Sequence, residues 1–342
     1  MDKKIRVAIN GFGRIGRAFL KIAWENPEVE IVAINDLGSI ESLAYLLRHD
    51  TVYRNWKHEV SVTENNLVID GKVVNFVSER DTTKLPWKDL SIDVVVESTG
   101  LFTSYDKAKF HLDCGAKKVV ISAPSKGGDG SVIGETILLG INEDKFGTCD
   151  ITSNASCTTN AASPLIGILH ESIGIEKAIL NTVHGYTASQ SLVDGPSKKD
   201  LREGRAAACN IVPSSTGAAI AVTEAFPALK GLFDGISIRV PVPAGSIVDI
   251  TFIAKRDTTK EEINDILKKA ATDPRWSKLF NTTEEPLVSS DILGESHASI
   301  ADLEMTRVVG GNLVKVMGWY DNEMGYTYTL VDHVIKTGKS IK

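Results

Sequence analysis

The 342-residue chain is longer than one hydrophobic core usually serves, so two domains are expected. Apolar residues make up 42% and charged residues 24%, with no low-complexity tract, which excludes a disordered or collagen-like chain. A net charge of −6 leaves no electrostatic footprint for nucleic acid as the primary partner.

The longest apolar runs, such as Val94–Val96 and Ala218–Val222, fall far short of the roughly 20 residues of a membrane span. Behind the charged start the first apolar stretch is interrupted at Asn10-Gly11, so no secretory signal is expected. Cys114, Cys149, Cys157 and Cys209 are far apart with no CxxC spacing. That argues against a disulfide framework or zinc ribbon, and suits a reducing cytoplasm. A cytoplasmic globular enzyme without a metal site is the expectation.

In chain order, Lys4–Asn10 and Glu28–Asn35 are near-continuous apolar runs, as strands covered on both faces should be. A helical pattern lies between them, from about Arg14 to Trp24, which makes a parallel βαβ unit. The rhythm continues with a helix at Ile40–Arg48, a strand region at Glu59–Val77 and a strand at Ile92–Glu97. A helix at Tyr105–Asp113 and a strand at Lys118–Ser122 follow. This pattern predicts a Rossmann-type, doubly wound α/β domain with a parallel sheet.

After about residue 150 the pattern predicts an α+β domain with a mostly antiparallel sheet. Its strands run from about Ala178 through Val183, at Ile236–Val240 and at Ser246–Ala254; its helices lie at Gly217–Ala225 and Lys260–Ala271. Ser189–Asn210 is a long polar segment. The last helix is predicted to begin near Glu323, with Asn322 as N-cap, and to end before Gly338.

Gly11-Phe12-Gly13-Arg14-Ile15-Gly16 is a GxGxxG loop between a strand and a helix, the context that a dinucleotide site requires. The first glycine makes the turn, the second lets a pyrophosphate approach backbone N–H groups, and the third permits close helix–strand packing. Asp36 ends the second strand twenty residues after Gly16. It suits ribose hydroxyls and repels a 2′-phosphate, so NAD is preferred over NADP. Small polar loops at Ser98-Thr99-Gly100 and Ser122-Ala123-Pro124 follow two further strands and are expected to face the cofactor.

Ser153-Asn154-Ala155-Ser156-Cys157-Thr158-Thr159-Asn160 leads into a helical pattern through His170. A cysteine at a helix entrance has its thiolate stabilised by free N–H groups and the helix dipole. Pro164 must kink this helix or sit close to its start. The other three cysteines read as structural. His184, near a strand end, is the candidate base for Cys157.

Together, INGFGRIGR, SNASCTTN, the run from His184 through DGPSKKD to RAAACNIVPSSTGAA, and WYDNEMGY resemble the phosphorylating glyceraldehyde-3-phosphate dehydrogenase family. The resemblance spans nearly the whole chain. It implies an NAD-binding domain at 1–156, a catalytic domain at 157–322 and a C-terminal helix at 323–342 that returns to the first domain. It also implies a homotetramer, in which Ser189–Asn210 corresponds to a loop near a neighbour's NAD site.

By motif, the resemblance makes Cys157 the nucleophile and His184 its base. Arg80 would lie near the adenine, Thr99 and Ser122 would contact the cofactor, and Asn322 would hold the nicotinamide amide with Tyr326 close by. Thr187 and Arg239 would bind the phosphate of glyceraldehyde 3-phosphate. Ser156, Thr158, Thr216 and Gly217 would bind inorganic phosphate.

The chain departs from the family pattern at Ile220, where many members carry Lys. Ser125–Gly134 is longer and richer in glycine than usual, and Ser189 replaces a Thr or Asp. These departures bear on phosphate affinity. The implied chemistry captures the aldehyde on Cys157 as a thiohemiacetal, oxidises it to a thioester and releases it with phosphate as 1,3-bisphosphoglycerate. Rival readings are an erythrose-4-phosphate dehydrogenase and a non-catalytic nucleotide- or RNA-binding protein.

Overall fold

The computed structural model describes residues 3–125, 130–197 and 200–341. The chain divides into two compact units. One comprises Met1–Ile137, Glu143–Ala155 and Thr327–Lys342; the other comprises Leu138–Asn142 and Ser156–Tyr326.

Among the described residues, the first unit is built on a nine-stranded sheet. Ile5–Asn10 lies near its centre, pairing in parallel with Val29–Asn35 on one side and Val94–Glu97 on the other. Parallel pairing continues outward to Lys118–Ile121 and Ile151–Ser153 on one flank, and to Lys72–Val77 on the other. The strand region expected at Glu59–Val77 consists of three strands: Val60–Thr63, Asn66–Ile69 and Lys72–Val77. They pair antiparallel, in sequence, at the sheet edge. Turns with left-handed residues, Glu64 at φ +51° and Asp70 at φ +48°, reverse the chain between them. The helix expected at Tyr105–Asp113 is two short ones, Tyr105–Ala108 and Phe110–Asp113.

The central strands diverge at Ile5–Asn10, whose neighbours lead to opposite halves of the sheet. This is the switch point where open α/β sheets bind ligands beyond the carboxyl ends of their strands.

The C-terminal helix, Met324–Lys339, begins near Glu323 as expected but differs in its cap and its end. Asp321 caps it: its Oδ1 accepts from the Glu323 and Met324 N–H groups at 2.8 and 2.9 Å. Asn322 is turned elsewhere. Gly338 lies inside the helix because a Cβ there would stand 2.6 Å from the Ile5 side chain. The glycine permits close packing and does not act as a stop.

Among its described residues, the second unit has one large mixed sheet. Its central path runs from Phe233–Val240 through Ile175–Gly185 and Ser246–Ala254 to Leu313–Tyr320. The first pair is parallel and the other two are antiparallel. Along Ser246–Ala254 burial alternates strictly, with Val248, Ile250 and Phe252 pointing into the core. That period of two is what one covered face demands. Leu165, Leu169 and Ile263 of the helices Cys157–Ser172 and Lys260–Ala271 complete this core.

Pro164 occupies the interior of Cys157–Ser172. Its missing N–H leaves the Asn160 carbonyl without its helical donor, and the Ser163 hydroxyl donates there at 3.4 Å.

Candidate active site

In the first unit, Gly11 adopts φ +95°, and a Cβ there would lie 2.6 Å from the Thr99 backbone nitrogen. Only glycine lets the first strand's loop pass so close to the loop after Val94–Glu97. A Cβ on Gly16 would meet the Gly11 carbonyl at 2.2 Å, so the third glycine is also a packing requirement. Gly13 differs, since no heavy atom lies within 4 Å of the position its Cβ would take. Its backbone therefore faces open space, the cradle that a pyrophosphate needs.

A cleft of about 390 Å³ is lined by Gly11, Gly13, Asp36, Arg80 and Thr99, with Leu37 and Phe102 supplying apolar wall. Asp36 accepts from the Phe12 N–H at 2.7 Å and from the Gly38 N–H at 2.8 Å. These bonds hold the glycine loop against the second strand and leave further lone pairs for a ligand. Other members of the motif have different duties. Phe12 is buried in the core, Ile15 is half-buried on the helix, and the Arg14 guanidinium pairs with Asp50. Ser122 donates its N–H to the Glu97 carbonyl at 2.9 Å and does not line this cleft.

A buried network beneath the cleft was not anticipated. Glu97 accepts from Asn10 Nδ2 at 2.6 Å and from the Thr99 N–H at 2.9 Å. A third neighbour is His111 Nε2 at 3.0 Å, while Trp87 Nε1–H donates to His111 Nδ1 at 2.9 Å. Trp87 thereby places the imidazole proton on Nε2, where it donates to Glu97. Burial holds His111 below its ordinary pKa. The available signal was a carboxylate ending the buried strand Val94–Glu97, since a buried carboxyl group must be hydrogen-bonded.

In the second unit, Ser156 caps the helix Cys157–Ser172, its hydroxyl accepting from the Thr159 N–H at 3.0 Å. Ala155, fully buried, holds the turn into this helix at φ +54°, an uncommon conformation for a residue with a side chain. Cys157 is thus the first helical residue, and its Sγ lies 3.4 Å from His184 Nε2.

The strand register explains why these groups meet. Arg239, His184, Ser246 and Tyr320 are direct partners across four adjacent strands, forming one transverse row. The Tyr320 hydroxyl bridges Thr158 Oγ1 on the helix, at 2.9 Å, and Thr182 Oγ1 on its strand, at 2.8 Å. Asn322 Oδ1 accepts from the Gly245 N–H and the Ser246 hydroxyl, each at 3.0 Å, which orients its amide.

His184 is buried and neutral. Desolvation and the charge of Arg239 lower its pKa to about 3. For Cys157, burial pushes the thiol up, against the opposing pull of Arg239, the Thr158 hydroxyl and helix N–H groups. The N–H groups at the helix entrance favour the thiolate as expected, but burial outweighs them. Among the other cysteines, Cys149 is buried, Cys114 half-buried and Cys209 exposed.

The remaining candidates are more open. The Thr216 hydroxyl accepts from the Ala218 N–H at 3.2 Å, and Gly217 is exposed with free space at its Cβ position. The Thr187 hydroxyl lies 3.1 Å from that of Ser189. Tyr326 is buried, and its N–H reaches the Asp321 carbonyl at 3.4 Å. Ile220 is 56% exposed and presents no charge beside this loop. Of the glycine-rich segment at Ser125–Gly134, residues 126–129 lie outside the described residues.

Fold and site together define a two-unit, nucleotide-binding protein with a cysteine–histidine pair. Residues 5–105 match the family model described as the NAD binding domain of glyceraldehyde 3-phosphate dehydrogenase, and residues 156–322 match its C-terminal domain. The chain is 50% identical over 330 residues to glyceraldehyde-3-phosphate dehydrogenase of Thermotoga maritima, covering 96% of this chain and 97% of the relative. It is 46% identical over 340 residues to the Streptomyces coelicolor enzyme of that name, covering 98% and 99%. To the Geobacillus stearothermophilus enzyme it is 46% identical over 330 residues, covering 96% of each. The chain belongs to the glyceraldehyde-3-phosphate dehydrogenase family.

Proposed function

We propose that this chain is an NAD-dependent, phosphorylating glyceraldehyde-3-phosphate dehydrogenase, converting glyceraldehyde 3-phosphate and inorganic phosphate to 1,3-bisphosphoglycerate. The observation that carries this reading is Cys157 Sγ at 3.4 Å from the neutral imidazole of His184, with Arg239 in the same row. NAD⁺, when bound, supplies the hydride acceptor. Gly11, Gly13, Asp36, Arg80 and Thr99 would hold its adenosine and pyrophosphate, and the family resemblance assigns Asn322 and Tyr326 to the nicotinamide.

Cys157 adds to the aldehyde carbon, and His184 takes the proton from the resulting hydroxyl as the carbon is oxidised. The thioester on Cys157 retains energy that hydrolysis would dissipate, and inorganic phosphate cleaves it. Arg239 and Thr187 bind the substrate's own phosphate. Ser156, Thr158, Thr216 and Gly217 bind the incoming phosphate, with Thr158 acting from a buried position.

We infer a homotetramer in the cytoplasm. The sheet face of the second unit that its helices leave uncovered exposes Ile179, Ile236, Val309 and Leu313, and the Ser189–Asn210 segment exposes Leu192 and Leu201. Apolar surface of this kind suits subunit contact. Among the described residues, no helix is long and apolar enough to cross a membrane.

The decisive experiment measures NADH absorbance with glyceraldehyde 3-phosphate, NAD⁺ and phosphate, omitting each in turn. Formation that requires all three supports the proposal. Phosphate-independent oxidation favours the erythrose-4-phosphate type of reaction, and no NADH at all favours a non-catalytic role.

A further inference from the structure

His184 Nδ1 has two neighbours that make incompatible demands. The Gly185 carbonyl oxygen lies 2.6 Å away and can only accept; Arg239 Nη1 also lies 2.6 Å away and can only donate. A neutral imidazole nitrogen is either a donor or an acceptor. If Nδ1 accepts from Arg239, the ring proton is on Nε2. There it points at Cys157 Sγ, and His184 cannot receive a proton. If Nδ1–H donates to Gly185, Nε2 presents a lone pair to the sulfur and the reacting carbon, but Arg239 must release Nδ1.

Arg239 is poised to leave. Among the described residues no carboxylate forms a salt bridge with it, and its Nε is buried without a hydrogen-bond partner. Its remaining contact, from Nη1 to the Gly185 carbonyl, is long at 3.4 Å. A half-buried guanidinium with an unused donor and no counter-charge is matched by an oxyanion that accepts two parallel N–H bonds.

We propose that Arg239 selects the tautomer of His184 and that anion binding reverses the selection, so that the base becomes competent only when the substrate's phosphate is in place. With the anion absent, Arg239 holds the Nε2–H form. When the anion draws the guanidinium away, the proton leaves Nε2 for solvent and solvent returns one to Nδ1, with no net change in charge. Nδ1–H then donates to Gly185, and Nε2 is free to accept the hydroxyl proton during oxidation. Arg239 thereby acts on the base as a positioning residue, beyond its contact with the substrate. This inference rests on the dehydrogenase reading, but its test does not require turnover.

The test is ¹⁵N spectroscopy of the full-length protein labelled at histidine, with the His184 signals assigned by their loss in His184→Asn. The parent is measured at neutral pH without anion, then across a titration with glycerol 3-phosphate, which carries the substrate's phosphate but no aldehyde to react with Cys157; Arg239→Met is measured without anion. The expected result is an unprotonated Nδ1 in the anion-free parent. That nitrogen becomes protonated as glycerol 3-phosphate saturates, and is already protonated in Arg239→Met. The same tautomer throughout the parent titration overturns the proposal even if Arg239→Met misfolds. A change in Arg239→Met alone overturns the coupling to anion. Failure of the NADH assay with a working tautomer switch would refute the dehydrogenase reading and leave the switch standing.

Discussion

Cys157 and His184 come within 3.4 Å across 27 residues of chain because a capped helix entrance lies over the covered face of a sheet whose register holds the histidine there. The Cys157 thiol is pushed up by burial and pulled down most strongly by the Arg239 charge. In a Cys209→Ser background, which removes the exposed competitor, Arg239→Met should move the midpoint of the iodoacetamide rate–pH curve upward. An unchanged midpoint would show that the charge does not reach the sulfur. His184→Asn should lower turnover by about 10²–10⁴, the usual worth of a positioned general base; activity surviving in Cys157→Ala would end the covalent mechanism.

Asp36 holds the glycine loop through Phe12 and Gly38 while offering acceptors to a ribose. Asp36→Ala should reduce the NAD⁺/NADP⁺ ratio of kcat/KM by at least about tenfold, equivalent to ~1.4 kcal/mol of discrimination. Retention of the parent ratio in steady-state assays would remove Asp36 from cofactor selection.

Gly11 cannot carry a side chain without displacing Thr99, and its φ of +95° strains any other residue. Gly11→Ala should weaken NAD⁺ binding in calorimetry and lower the thermal midpoint. Parent-like values for both would mean that the two loops separate without cost.

Three buried histidines, His111, His184 and His333, shape the acid limb of stability. His184 and His333 are each lowered to about 3, chiefly by burial. Between about pH 6.5 and pH 3 the unfolded chain binds protons at these sites that the native protein refuses, so stability is full above this window and is lost as pH falls through it. His333→Gln should flatten the dependence of unfolding free energy on pH in that window, by up to about 1.4 kcal/mol per pH unit. An unaltered slope in urea titrations at pH 4, 5 and 6 would contradict this account.

Tyr320 joins helix to sheet through two hydroxyl contacts. Tyr320→Phe leaves Thr158 without that partner and should cost about 1–3 kcal/mol. Thr182 loses less, because its hydroxyl also donates to the Ile247 carbonyl at 3.2 Å. The urea midpoint measures the loss, and a shift equivalent to less than about 0.5 kcal/mol would place the bridge outside the stability of the unit.

Local signals in the sequence determined much of this protein. Apolar periodicity marked the helices Arg14–Trp24, Ile40–Arg48 and Lys260–Ala271 and the strand Ser246–Ala254 at their observed limits, because periods of 3.6 and 2 are properties of short segments. The glycine spacing at Gly11, Gly13 and Gly16 was legible for the same reason, as a single turn requires it.

What the tertiary structure decided is pairing between distant segments. Asn322 looked like a helix cap by its position. Asp321 makes the capping bonds instead, and the Asn322 oxygen bonds Gly245 and Ser246, whose strand partner is Tyr320. Glu97 ended an apolar strand without revealing the partners Asn10 and His111 that make its burial tolerable. Above all, the row of Arg239, His184, Ser246 and Tyr320 depends on the register of four strands. A one-residue slip would reverse each strand's faces, and only the packing of the whole sheet excludes it.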